Sequence, residues 1–282
     1  MMTTHERFTR MYEHREADRI PIFDSPWSET IDRWCAEGMP TRDYVSYFNL
    51  DRVATISVDN SPRYEEKVLE ETDEYRIYTT SWGATQKSWK KHGSTPEFLD
   101  FKIKDAEKWL DAKRRMTFDE NRIPWAYLKA NYDRWKAEGY WIIGGFWFGF
   151  DVTHSWAVGT ERFLIAMLEE PEWCEEIYDT YLNLDIQLFD RIWEAGYRFD
   201  EINWPNDMGY KHNQFFSLNT FREMDKPRIA RAVKWAHDHG IKARMHSCGD
   251  INPFVPELIE LGMDGLNPLE VKAGMDPVQL KK

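Results

Sequence analysis

Two hydrophobic rhythms take turns along this chain, short apolar runs and longer stretches with apolar residues three and four apart. The runs at residues 20–23, 53–58, 140–146, 199–204, 241–247 and 264–269 predict strands. The longer spacing predicts helices at 4–11, 29–37, 123–138, 161–168, 172–194, 220–239 and 253–261, with a shorter one at 43–48 and another starting at Asp105. Gly38, Gly139, Gly196 and Gly240 each stand where a helix should stop. Residues 67–70 and 75–80 flank the turn Glu71-Thr72-Asp73-Glu74, which predicts a β-hairpin lying outside the main fold. The near-continuous run at 140–146 is of the kind buried on both faces of a parallel sheet.

Strands alternating with helices predict parallel pairing and right-handed crossovers, hence a (β/α)8 TIM-barrel-type α/β fold as a single domain over 1–282. The pattern holds only about six β/α units where a full barrel has eight, so the expectation is a barrel lacking its C-terminal units. Its open strand edges would suit a second copy of the chain. A doubly wound sheet would also accept six strands, but it usually carries a Gly-rich phosphate loop after the first strand, and here that place reads Asp24-Ser25-Pro26-Trp27.

Composition narrows the function classes. Three cysteines make no disulfide framework, the polar start Met-Met-Thr-Thr-His-Glu-Arg is no secretory signal, and no apolar run reaches bilayer length. A soluble, cytoplasmic protein without a membrane role is expected. The net charge of −12, with Lys and Arg scattered, argues against a nucleic-acid partner. The excess is aromatic, with 14 Trp, 13 Tyr and 16 Phe, enough to fill a core and still wall a pocket for an organic small molecule. Trp27, Trp82 and Trp147 are the candidate walls.

Candidate chemistry concentrates at predicted strand ends, where a barrel carries its active site. In Gly240-Ile-Lys-Ala-Arg-Met-His-Ser-Cys-Gly-Asp250, His246 and Cys248 lie two apart on a strand and so face the same side, a soft ligand pair suited to zinc. A buried cysteine beside a hydrogen-bonded histidine is an equally good account of that pair taken alone. Asp24, Asp59 and Asp207 are candidate catalytic carboxylates, and Asn203 and Asn267 candidate substrate ligands. Glu270 is a candidate oxygen ligand for a metal, and Asp250 a helix cap or acid/base group.

The stretches Glu6-Arg7-Phe8, Asp18-Arg19-Ile20-Pro21, residues 48–53 with Asp51, Met245-His246-Ser247-Cys248-Gly249-Asp250 and Leu261-Gly262-Met263-Asp264-Gly265-Leu266-Asn267-Pro268 resemble the uroporphyrinogen decarboxylase superfamily, the last two most specifically. That resemblance implies a barrel and one of two chemistries. The decarboxylases of porphyrin biosynthesis carry an arginine-rich segment after the first strand, and Phe23-Asp24-Ser25-Pro26-Trp27-Ser28 has no arginine to meet substrate carboxylates. The methyltransferase branch carries His-x-Cys on the fifth strand with a distant third thiolate; His246 and Cys248 match the first two, and the third would fall beyond Lys282.

The resemblance therefore implies a zinc site that activates a thiol acceptor, with the methyl group delivered by a methylcobamide on a corrinoid partner protein. Decarboxylation, with Asp59 stabilising a protonated pyrrole, is the alternative, and an inactive or purely binding barrel is a third reading. With two ligands in hand, weak zinc binding is expected unless Glu270 or another carboxylate completes the set.

Overall fold

The computed structural model describes residues 2–91, 93 and 95–282. Strands β1 (Val53–Ser57), β2 (Trp141–Gly145), β3 (Glu201–Pro205), β4 (Lys242–His246) and β5 (Gly265–Asn267) form one parallel sheet in sequential order. The register sets Ile143 beside Glu201, Arg244 beside Asn203 and His246 beside Asn267. Parallel neighbours need long crossovers, and helices Thr160–Glu169 and Pro171–Glu194, then Lys226–Asp238, then Val255–Glu260 supply the last three. All five C-terminal strand ends therefore share one edge of the sheet.

The architecture is mixed α/β with an open sheet; among the described residues the strands do not close into a barrel. One expected strand is also missing. Residues 20–23 are irregular, because Pro21 has no N–H to give a ladder and the backbone of Ile22 bonds to Asp51 instead, its N–H to Oδ2 and its carbonyl to the Asp51 N–H, both at 2.7 Å. The apolar side chains of that run face outward, Ile20 being 77% and Ile22 53% exposed. The predicted hairpin extends into a separate four-stranded antiparallel sheet, Val68–Glu71, Tyr75–Thr79, Ala84–Trp89 and Glu97–Phe101.

The core forms where the pattern demanded it. Every residue of β2 is buried, and helix Pro171–Glu194 covers the sheet with Ile177, Tyr181, Leu184, Leu188 and Ile192 at helical spacing. Close packing permits no side chain at Gly144, where an added Cβ would stand 2.9 Å from the Phe189 ring.

An ion cluster fixes the N-terminal segment over the start of β1. Asp51, 3% exposed, accepts from Thr4 Oγ1 at 3.1 Å, from Arg19 Nη1 at 2.6 Å and from Arg7, while Arg7 Nε also donates to Asp18 at 2.8 Å. With the Ile22 N–H, four donors satisfy one buried carboxylate. This clamp places residues 21–25 opposite β5 across a cavity. No helix of the described residues is long and apolar enough to cross a membrane.

Candidate functional site

The site grows out of two adjacent strand exits. After β3 the chain runs through Asn206 and Asp207, and after β4 through Ser247, Cys248 and Gly249. Backbone bonds lace the exits together: Asn206 N–H donates to the His246 carbonyl at 2.7 Å and Asp250 N–H to the Tyr210 carbonyl at 3.0 Å. The two loops touch at a pair of glycines. A Cβ on Gly249, whose φ is +79°, would lie 2.3 Å from the Gly209 carbonyl carbon, so only glycine lets the Cys248 loop approach this closely.

That approach brings Asp207, His246 and Cys248 together, one ligand atom from each lying within 4.8 Å of the others. His246 Nε2 is 3.4 Å from Cys248 Sγ and 3.5 Å from Asp207 Oδ1. Ligands on a tetrahedral zinc stand roughly 3.3–3.8 Å apart, given metal–ligand bonds of about 2.0–2.3 Å, so the donor types and spacing fit that ion. Asp207 Oδ1 also accepts the Cys248 N–H at 2.7 Å. Glu270 stands just outside the triad: it accepts the Gly249 N–H at 3.1 Å and lies against the thiol.

Negative charge gathers here. Burial pushes the Cys248 thiol up to about 12, helped by Asp207, Glu270 and Asp151. Burial, then the charge of Asp207, raises the Asp151 carboxyl to about 6, against a hydrogen bond from Ser155. A divalent cation would relieve both. Asp151 was not among the sequence candidates. Its one signal was its place at the end of the unusually aromatic loop leaving β2.

His246 also faces a cavity of about 1070 Å³ between the N-terminal segment and β5, walled by Phe8, Tyr12, Phe23 and Arg244 among others. Its floor is polar. Glu201, fully buried, accepts from Arg244 Nε at 2.5 Å, Tyr12 Oη at 2.8 Å and Trp141 Nε1 at 2.9 Å. Arg244 Nη1 donates to Asn267 Oδ1 at 2.6 Å, which turns the Asn267 amide so that Nδ2 faces His246 Nδ1 at 3.1 Å. In this arrangement Nδ1 accepts, and the proton of neutral His246 sits on Nε2.

The other sequence candidates scatter. Asp24 lines the large cavity but spends Oδ1 on the Ser25 N–H. Asp59, Trp82 and Trp147 share a second, smaller cavity at the exits of β1 and β2, away from Asp207 and His246. Trp27 is 61% exposed. Asn203 lies beside Arg244 with a buried Oδ1 that has no partner among the described residues. Asp250 caps the next turn, accepting the Asn252 N–H at 3.0 Å.

No family profile and no curated protein matches the sequence. Among solved structures, a methyltransferase from Methanosarcina mazei is similar over 98% of this chain and 80% of its own, with a TM-score of 0.53 and 15% identity. The likeness is one of fold.

Proposed function

We propose that this chain is a zinc-dependent methyltransferase of the uroporphyrinogen decarboxylase superfamily, transferring a methyl group from a methylated corrinoid to a thiol. The observation that carries the reading is the Asp207–His246–Cys248 donor set, whose His246 also lines a cavity large enough for a bulky substrate. Asp207 supplies the third protein ligand that the sequence motif left open, and the half-buried rim leaves room for the acceptor. The fold likeness to a methyltransferase is consistent with it.

Zinc bound there would lower the pKa of a thiol ligand so that it is a thiolate at neutral pH. The chain's own residues hold the parts. Asp207 fixes the Cys248 backbone, Glu270 fixes Gly249, and Arg244 with Asn267 orients the imidazole. Phe8, Tyr12 and Phe23 give the cavity beside His246 an apolar wall. Decarboxylation of a polycarboxylate has less support, since the one arginine lining the cavity gives Nε to Glu201 and Nη1 to Asn267 while Asp24 and Asp264 line the same cavity.

The direct test mixes the zinc-loaded chain with methylcobalamin and a small thiol and follows the thioether by mass spectrometry. Zinc-dependent product is expected; a chain that takes up no zinc and forms no thioether would refute the proposal.

Asn267 offers a sharper check. With a metal at Nε2, neutral His246 would carry its proton on Nδ1 and would need an acceptor where Asn267 now presents its NH2. Asn267→Asp supplies an acceptor for both Arg244 and Nδ1, so zinc should bind about tenfold tighter, as outer partners of metal-bound histidines commonly contribute. Competition with a chromophoric chelator measures this, and unchanged or weaker zinc binding counts against Nε2 ligation.

A further inference from the structure

The smaller cavity, about 250 Å³ at the exits of β1 and β2, is walled by Trp82, Trp147 and Trp156 with Asp59 and Asn60. The rings of Trp147 and Trp156 meet at 85° with centroids 5.7 Å apart, and those of Trp82 and Trp147 at 43° and 6.3 Å. Three differently turned indoles make a corner. A flat ring cannot be sandwiched between planes so inclined and so close, whereas a compact rounded group meets an indole on several sides.

The corner is held in place before any ligand arrives. Trp147 donates its backbone N–H to Asp185 Oδ2 at 2.7 Å and accepts at its carbonyl from Asn60 Nδ2 at 2.7 Å, and Asn60 Nδ2 also reaches Asp185 Oδ1 at 2.9 Å. Asp185 is 0% and Asn60 1% exposed, so this clamp is internal. Burial pushes the Asp185 carboxyl well above its usual range. Trp82 is backed by Tyr181 at 5.4 Å. Trp156 rides on the π-helical segment Val152–Val158. A wall ordered in advance loses little freedom on binding.

The charge chemistry selects the occupant. Burial opposes the charge of Asp59, but hydrogen bonds from Ser61 and Arg63 outweigh it and hold the carboxyl below the usual carboxylate range. Oδ1 already accepts from the Ser61 N–H at 3.1 Å and from Ser61 Oγ at 2.6 Å, and Oδ2 from Arg63 Nε at 2.5 Å. A primary ammonium would have to compete with these donors to satisfy its own N–H groups. An anion would meet an ionised carboxylate. A quaternary ammonium carries positive charge, has no N–H to satisfy, and is attracted by the negative faces of indoles.

We propose that the Trp82–Trp147–Trp156 corner binds a methylated, quaternary ammonium group. The site opens between β1 and β2 while the metal ligands leave β3 and β4, so the inference stands independently of the methyl-transfer reading.

The test is calorimetric titration of the purified chain with tetramethylammonium, with choline, and with the neutral isostere of choline in which carbon replaces nitrogen. Saturable binding of both cations is expected, with choline at least about tenfold tighter than its isostere. Trp156→Leu should erase that preference, Trp156→Phe should keep part of it, and zinc uptake should be unchanged in both. No saturable binding of tetramethylammonium, or equal binding of choline and its isostere, overturns the proposal from the unmodified chain alone. Thioether formation by zinc-loaded protein that ignores these cations would overturn only the cage.

Discussion

Zinc affinity should fall by more than about 100-fold when Cys248 is replaced by Ala, with the fold intact. The triad offers one sulfur, one nitrogen and one oxygen, and a catalytic zinc site rests on three protein ligands, so losing the softest leaves too few. The side chain is half-buried at a rim and its removal opens no core cavity. Chelator competition reads the affinity, and circular dichroism confirms that the protein is folded. Glu270→Gln is the contrasting variant, because Glu270 only supports Gly249 and the thiol. A change of about tenfold or less is expected there. Should the Ala variant keep its zinc while Glu270→Gln loses it, the ligand set has been misassigned.

The second large effect lies in the N-terminal ion cluster. Asp51→Ala is expected to cost about 3–5 kcal/mol in unfolding free energy, the range for breaking a buried ion pair by deleting one partner. The reason is what stays behind. Arg7, 3% exposed, keeps Asp18 but loses its buried counter-ion, and the Ile22 N–H and Thr4 hydroxyl lose their acceptor. Urea denaturation monitored by tryptophan fluorescence measures the change; a loss below about 1 kcal/mol would mean that the clamp contributes no more than exposed pairs do. Release of residues 18–25 should also remove Phe23 from the cavity wall.

What could be foreseen from sequence divides along physical lines. Strands β1 to β5 announced themselves as short runs between helical stretches; Trp141–Gly145 is apolar throughout, as a strand buried on both faces must be, whereas Val53–Ser57 and Lys242–His246 alternate in burial. Arg7, Asp18, Arg19 and Asp51 stood in the motifs that carried the superfamily resemblance, and they meet as a single ion cluster. Residues 20–23 misled because an apolar run reads the same whether its side chains enter a core or line the mouth of a cavity. His246 and Cys248 were legible as neighbours in one motif, although the strand ends at His246 and Cys248 reaches the imidazole from the exit loop rather than by strand alternation. Their third partner was harder to identify, since Asp207 joins them through contacts between two strand exits, the Asn206–His246 backbone bond and the Gly209–Gly249 approach among them, and such an approach leaves two ordinary glycines in the sequence. Asp59, a candidate from another strand end, lies in the tryptophan corner, two strands along the sheet from Asp207, because strand order is not legible in local sequence.

If His246 takes a metal as proposed, the row of contacts from Glu201 through Arg244 and Asn267 to His246 would make cavity occupancy and metal affinity parts of one equilibrium. A ligand carboxylate that drew the Arg244 guanidinium away would free the Asn267 amide to turn over and offer its oxygen to Nδ1, the state a metal at Nε2 requires. By linkage the metal would then strengthen that ligand's binding by the same factor by which the ligand strengthens the metal's. An acceptor that brought both a thiol and an anionic group would thus help assemble the site that activates it.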